Sequence, residues 1–153
     1  MKIQNIKPAK TKKLLKQILF SAAVFLFSLK SFAANYYWVG GTGNWSNYAN
    51  HWATTSGGVI FHTTIPSFND DVFFDANSFA SASTVTADST FIYCHNMDWT
   101  GAQFNPSFEG PNPAQLKIYG SLTLVQGMQF TINEVHFLAA AGTQTIASLG
   151  GGL

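Results

Sequence analysis

After residue 34, apolar and polar residues alternate over short stretches, and apolar residues do not recur at the spacing of an amphipathic helix. Several of these stretches are rich in β-branched and aromatic side chains, which favour strands. The pattern therefore predicts an all-β fold. The predicted strands cover residues 36–39, 71–74, 84–87, 91–99, 115–119, 122–125, 129–132, 135–138 and 144–147.

In the second half of the chain, the predicted strands and the glycines between them are regularly spaced. Short strands follow one another, with Gly120, Gly127, Gly142 and Gly150 near the bends. This is typical of a parallel β-solenoid, in which each rung, meaning one turn of the chain, buries alternate residues and bends to the next face. A β-sandwich uses equally short strands, and the pattern alone leaves both folds open. The predicted inward residues are Leu116, Ile118, Leu122, Leu124, Phe130, Ile132, Val135, Phe137 and Ile146.

This change in strand spacing predicts two regions after residue 33. Residues 34–110 form an aromatic and glycine-rich β region with the first rungs, and residues 111–153 form further rungs. The sequence stops soon after a strand, at Gly150-Gly151-Gly152-Leu153, without a polar closing element. A solenoid end needs a cap to cover its interior. We therefore expect this chain to be the N-terminal portion of a longer protein.

The first 33 residues have the pattern of a cleavable secretory signal peptide. Six lysines up to Lys16 precede an apolar run of about 12 residues. Small side chains at Ser31 and Ala33 suit a signal peptidase, so cleavage is expected between Ala33 and Ala34. The apolar run is shorter than the roughly 20 residues that cross a bilayer as a helix. The sequence predicts a secreted or outer-surface protein with no membrane span after cleavage.

Charge after the cleavage site excludes some partners. Lys117 is the one lysine beyond residue 34, the chain has no arginine, and seven aspartate and glutamate residues follow that point. Nucleic acids and anionic membranes require a basic surface, so neither is an expected partner. Cys94 is the one cysteine and has no partner for an internal disulfide.

An aromatic and glycine-rich block, residues 36–52, is the most specific local feature. Its glycines permit tight turns that fold Trp38, Trp45 and Trp52 back onto one another. One interpretation is a buried cap at the N-terminal end of the solenoid, which the usual burial of tryptophan favours. The other is a carbohydrate platform, in which exposed indoles stack on sugar rings while Asn44 and Asn50 bind hydroxyls.

Three aspartates, Asp70, Asp71 and Asp75, are candidate calcium ligands, because calcium takes about 6 to 8 oxygen ligands. The alternative is a turn at Asn69-Asp70 with the acids facing water, and strand alternation argues against a complete shell. No other cofactor is expected.

Catalytic signatures are lacking in the sequence. The four histidines are scattered, no Gly-x-Ser-x-Gly elbow occurs, and the two glutamates form no preferred pair. The chain is therefore not expected to be an enzyme.

A family resemblance rests on an ordered set of aromatic, glycine and acidic positions: Trp38-x-Gly40-Gly41-x-Gly43-Asn44-Trp45, Asn50-x-Trp52, Pro66 and Asp70-Asp71-Val72-x-Phe74. This order resembles the N-terminal segment of large secreted and surface proteins of Bacteroidetes. It is also similar to the opening block of autotransporter-associated β-strand repeat proteins. Residues 94–101 and 116–124 look like the rungs that follow in the Bacteroidetes group.

The resemblance implies β-solenoid rungs, export across both membranes, often by the type IX route, and an adhesive or matrix role. The expected function is that of an exported structural or adhesive segment, whose partner is a surface polysaccharide or extracellular matrix. A carbohydrate-binding module that uses the tryptophan block is the alternative. A third hypothesis is the N-terminal fragment of a β-helical polysaccharide-degrading enzyme.

Overall fold

Short strands dominate the described residues, 33–150 of a computed structural model. The signal-peptide prediction falls, apart from Ala33, outside these residues. One short helix, α1, covers Tyr48–His51. The strands are β1 Asn35–Trp38, β2 Gly43–Asn44, β3 Trp52–Ala53, β4 Asp71–Phe73, β5 Thr84–Thr86, β6 Phe91–Cys94, β7 Met97–Asp98, β8 Ser107–Glu109, β9 Gln115–Ile118, β10 Leu122–Thr123, β11 Gln129–Thr131, β12 Glu134–Phe137 and β13 Ile146–Ala147.

These strands form three sheets that the chain visits in turn. The first sheet has the order β13-β10-β7-β4-β1-β3, the second β11-β8-β5-β2 and the third β12-β9-β6. All pairs are parallel except β1 with β3, where the chain turns back at the edge of the first sheet. A β-sandwich is built from antiparallel sheets, so this pairing differs from that alternative.

Side chains of equivalent strands align in columns inside the three sheets. Alternation along each strand sends every second residue inward. The strand registers place these inward residues directly over one another. The core is therefore a stack of apolar columns, which are Val72, Met97 and Leu122 in the first sheet, Val85, Phe108 and Phe130 in the second, and Ile92, Leu116 and Val135 in the third.

A ladder of polar side chains lines the corner between the third sheet and the first. The Asp71 carboxylate accepts a hydrogen bond from Asn96 Nδ2 at 2.8 Å, and Asn96 Oδ1 accepts one from the backbone N–H of Ser121 at 2.7 Å. The Ser121 hydroxyl oxygen in turn accepts one from the backbone N–H of Thr145 at 3.1 Å. Successive partners are 25, 25 and 24 residues apart, so the ladder satisfies backbone groups at regularly spaced positions along the chain.

The all-β prediction is confirmed, with local corrections. The predicted strand at residues 91–99 is two strands, β6 and β7, because the chain bends at His95 and Asn96. His95 therefore lies at a corner and not beside Cys94 in one strand. Ile146, predicted to point inward, is 50% exposed, since β13 is the outermost described strand of its sheet. The boundary predicted at residue 110 falls in the connection between β8 and β9.

Candidate functional site

Three tryptophans of the aromatic block pack together at the β3 end of the core. The antiparallel pairing of β1 with β3 sets Trp38 opposite Trp52, with ring centroids 5.0 Å apart at 83°. Trp45, just after β2, lies 4.7 Å from Trp52 at 74°. All three side chains are fully buried. The edge-to-face geometry is the arrangement that aromatic pairs favour.

The glycines of the block let the chain turn around these rings. Gly40 and Gly41 have φ values of 84° and 73°, which favour glycine. The turn brings the Gly41 carbonyl oxygen to 2.8 Å from the Trp38 indole nitrogen, which donates to it. The His51 ring then stacks on Trp38 at 4.5 Å and 4°. Its Nδ1 lies 2.7 Å from the Val39 carbonyl oxygen, so Nδ1 carries the proton that is donated.

The two interpretations of the block predict different exposure: buried indoles for the cap and exposed indoles for the sugar platform. A sugar platform needs exposed indole faces, and Trp38, Trp45 and Trp52 offer none. Asn44 and Asn50 are exposed, and the Asn50 amide donates to the side chain of Asn47 at 2.8 Å. The structure thus brings the tryptophans together inside the molecule and leaves the two asparagines outside.

The indole N–H groups of the core tryptophans differ in their hydrogen bonding. Trp52 Nε1 donates to the Trp45 carbonyl oxygen at 2.9 Å. Among residues 33–150, the buried Nε1 atoms of Trp45 and Trp99 have no hydrogen-bond partner. A buried donor without a partner costs about 1 to 3 kcal/mol, a loss that the packing of these two indoles in the core has to offset.

Asp70, the first of the candidate calcium ligands, is buried. Its side chain is 7% exposed, and Oδ2 accepts hydrogen bonds from the backbone N–H and the hydroxyl of Ser67, at 2.8 and 2.6 Å. The predicted turn is present, because the Asp70 N–H donates to the Ser67 carbonyl oxygen at 3.1 Å. The expectation that this carboxylate faces water is wrong, because the turn directs it at protein donors.

Asp71 and Asp75 lie in separate surroundings. Asp71 belongs to the corner ladder, where Oδ1 also accepts from His95 Nδ1 at 2.9 Å. Asp75 follows β4, and its Oδ1 accepts from the backbone N–H of Asn77 at 2.8 Å. Within residues 33–150, no group of three or more His, Cys, Asp or Glu side chains is arranged to hold a metal ion. Calcium binding by the three aspartates remains a hypothesis without an assembled site in this part of the chain.

The two glutamates, considered as a pair for glycoside hydrolysis, lie on strands of different sheets. Glu109 lies on β8 in the second sheet, and Glu134 lies on β12 in the third. Paired carboxylates for glycoside hydrolysis flank one bond at roughly 5 to 10 Å from each other. Glu109 lines a groove with Pro111 and Thr131, and Glu134 is not among the residues that line it.

The outer face of the third sheet carries a group of aromatic, charged and amide side chains that no sequence motif marks. Its outward residues, here called the third-sheet face, are Phe91, Tyr93, Gln115, Lys117, Glu134 and His136. The Glu134 carboxylate accepts hydrogen bonds from Gln115 and from His136 Nε2, each at 2.8 Å. Lys117 Nζ lies 4.2 Å from the centre of the Phe91 ring.

The registers explain how this face is assembled. Tyr93, Lys117 and His136 are direct neighbours across β6, β9 and β12, and Phe91, Gln115 and Glu134 form the adjacent column. The signal in the sequence was the alternation within each strand. The alignment of the three strands depends on turn lengths, and the sequence pattern did not fix those.

Cys94 is fully buried on the inner side of β6, and burial raises the pKa of its thiol well above the ordinary value. We expect its reaction with a disulfide reagent at pH 8 to be at least about 100-fold slower in the folded protein than in denaturant. A Thr143→Cys variant, with a second thiol at an exposed position, serves as the control and should react at once with one equivalent. Rapid labelling of Cys94 in the folded chain would contradict its placement in the core.

The comparisons with known proteins identify no family. No family model matches the chain, and neither a curated protein nor a solved structure matches it. Among the described residues, no helix has the length and apolar character needed to cross a bilayer.

Proposed function

We propose that residues 34–153 form an exported, non-catalytic β-solenoid segment with a structural or adhesive role at the cell surface or outside the cell. The observation that carries the proposal is the repeating register of parallel strands. Val72, Met97, Leu122 and Ile146 occupy equivalent positions in successive strands of the first sheet. Repetition of this kind is expected when each turn of the chain stacks on the preceding one.

The aromatic block supplies the cap of this proposed solenoid. A stack of parallel strands leaves an unpaired edge and an uncovered interior at its first turn. Here β3 pairs antiparallel with β1, and buried indoles fill the space beside them. The backbone N–H of Val39 also bonds to the carbonyl oxygen of His51, at the end of α1. These contacts support a closing role for the block.

The third-sheet face is the proposed contact surface. It combines two aromatic side chains with amide, ammonium, carboxylate and imidazole groups within two neighbouring columns. Aromatic rings beside hydrogen-bonding groups suit sugar rings and polar protein surfaces. The exported segment has seven acidic side chains and one lysine, and this net negative charge disfavours the binding of polyanions. A neutral surface polysaccharide or an extracellular matrix component is therefore the proposed partner.

Binding to immobilised polysaccharides and matrix proteins tests this proposal. The exported chain is expected to bind at least one member of the panel, and Tyr93→Ala should weaken that binding about tenfold, a loss of about 1.4 kcal/mol. Tyr37→Ala is the matched control, since Tyr37 is another half-buried, outward tyrosine, on β1 of the first sheet. Equal effects of the two substitutions, or no binding at all, would contradict the proposed contact surface.

Tryptophan fluorescence in the same experiment distinguishes the alternative carbohydrate platform. All four tryptophans are fully buried, so acrylamide should quench them weakly, and the bound partner should not change that quenching. Strong quenching that one polysaccharide suppresses would replace the cap with a sugar-binding site built on Trp38, Trp45 and Trp52.

A further inference from the structure

Asp70 is a buried carboxylate held by donors from two segments. Oδ2 accepts both hydrogen bonds from Ser67, and Oδ1 accepts one from the backbone nitrogen of Ala34 at 2.9 Å. The Ala34 carbonyl oxygen accepts a hydrogen bond from the Asp71 N–H at 2.9 Å. Ala34 is thus fixed on both sides just before β1, with its nitrogen directed at Asp70.

A countercharge for Asp70 is lacking among the described side chains. Within residues 33–150, the contacts of a basic side chain with a carboxylate join His95 to Asp71 and His136 to Glu134, and neither includes Asp70. Lys117 lies over Phe91 on the third-sheet face. Buried carboxylates are usually paired with an opposite charge as well as hydrogen-bonded.

We propose that the missing countercharge is the α-ammonium group of Ala34, created when the signal peptide is removed. The inference rests on the proposed export, because it requires cleavage between Ala33 and Ala34. In the uncleaved chain the Ala34 nitrogen is a neutral amide that donates one hydrogen bond. In the processed chain the same atom becomes an ammonium within reach of Asp70, and charge-assisted hydrogen bonds are about twice as strong as neutral ones.

The chemistry of the cleavage supplies the charge. Water adds across the Ala33–Ala34 peptide bond under the action of the host's signal peptidase. The C–N bond breaks, the hydroxyl group stays on the Ala33 carbonyl carbon, and a proton goes to the Ala34 nitrogen. At neutral pH the new carboxyl group releases a proton and the new amine takes one up.

The consequence is a fold that becomes more stable only after processing. Before cleavage, only neutral groups donate hydrogen bonds to Asp70, so the start of β1 is held less firmly. After cleavage, the ion pair ties the start of β1 to the turn before β4. This order of events suits a chain that has to cross the inner membrane before it folds.

The test uses the exported chain with Lys117→Arg, so that the α-amine is the one primary amine left after cleavage at the expected site. Mass spectrometry first gives the N-terminal residue, which we expect to be Ala34. The amine is then either acetylated, which removes the charge and keeps an N–H, or reductively dimethylated, which adds two carbons and keeps the charge. Equilibrium unfolding in urea gives the folding constant of each form.

Acetylation is expected to lower the folding constant at least about tenfold, equivalent to about 1.4 kcal/mol, and dimethylation to change it less than about threefold. In the Asp70→Asn variant, acetylation should change the constant less than about twofold, because the ammonium has no carboxylate to pair with. If that variant does not fold, the comparison of the two modified forms still decides the outcome.

Two results would overturn the inference, and they differ in what else they affect. A processed chain that begins at another residue would refute the cleavage site together with the ion pair. A chain that begins at Ala34 but responds equally to both modifications would refute the ion pair alone, and the proposed export would stand.

Discussion

Replacing Trp52 with alanine is expected to lower the free energy of unfolding by about 3 to 5 kcal/mol. The Trp52 side chain is fully buried between the rings of Trp38 and Trp45, and its indole N–H donates to the Trp45 carbonyl oxygen. Alanine would leave a large cavity and an unpaired acceptor. Small domains are stable by only about 5 to 15 kcal/mol, so the variant should be marginally folded at best.

Urea denaturation followed by circular dichroism measures this loss, since it does not depend on the tryptophan that is removed. Tyr48→Ala is the control: this aromatic residue is 38% exposed on α1 and should cost less than about 1 kcal/mol. If the two substitutions cost the same, Trp52 does not hold the aromatic block together.

A milder pair of substitutions separates packing from hydrogen bonding in the same cluster. Trp52→Phe removes a donor whose partner, the Trp45 carbonyl oxygen, would then be left unsatisfied. Trp45→Phe removes an indole N–H that has no partner among residues 33–150. Both changes reduce ring size equally, so the larger loss of stability should fall on Trp52→Phe.

Much of the strand pattern could be predicted from the sequence because alternation reports directly on which side of a sheet is buried. The stretch predicted at 84–87 is β5, and the stretch predicted at 115–119 is β9. In both, the inward residues are buried and the outward ones are half-buried. Predicting these strands needed no knowledge of their partners.

Strands that depend on distant partners were missed. The predicted set lacks β2, β3 and β8, which are two or three residues long and too short to show a period. Gly43 and Asn44 have low intrinsic strand preference and become a strand through pairing with Val85 and Thr86 of β5. The bend at Asn96 was hidden for the same reason, since the ladder that fixes it joins residues 24 or 25 positions apart.

In the candidate sites, too, local pattern was predictable and the effect of distant partners was not. The spacing of tryptophans and glycines predicted that the three indoles come together, but it left open whether they are buried or exposed. The sequence could not show that His51 fills the space beside Trp38, or that Asp70 is buried while Asn44 is exposed. Those outcomes depend on which donors the folded chain brings to each side chain.

Replacing Gly43 with alanine is expected to cost about 3 kcal/mol, the upper part of the range for overpacking. A Cβ at this position would overlap His51 Nε2 and lie 2.6 Å from the neighbouring ring carbons, far inside contact distance. The φ of Gly43 is not in the left-handed region, so alanine fits its backbone and the cost is steric alone. The His51 ring would have to leave its stack on Trp38 and its bond to the Val39 carbonyl oxygen.

A double-mutant cycle with His51→Ala isolates this contact. Removing the ring opens the space beside position 43, so Gly43→Ala should cost less than about 1 kcal/mol in the His51→Ala background. Urea unfolding of the four forms gives the coupling free energy, which should be about 2 kcal/mol. If Gly43→Ala costs as much without the histidine ring as with it, the ring is not what excludes a side chain at position 43, and the packing of His51 between the glycine turn and Trp38 is wrong.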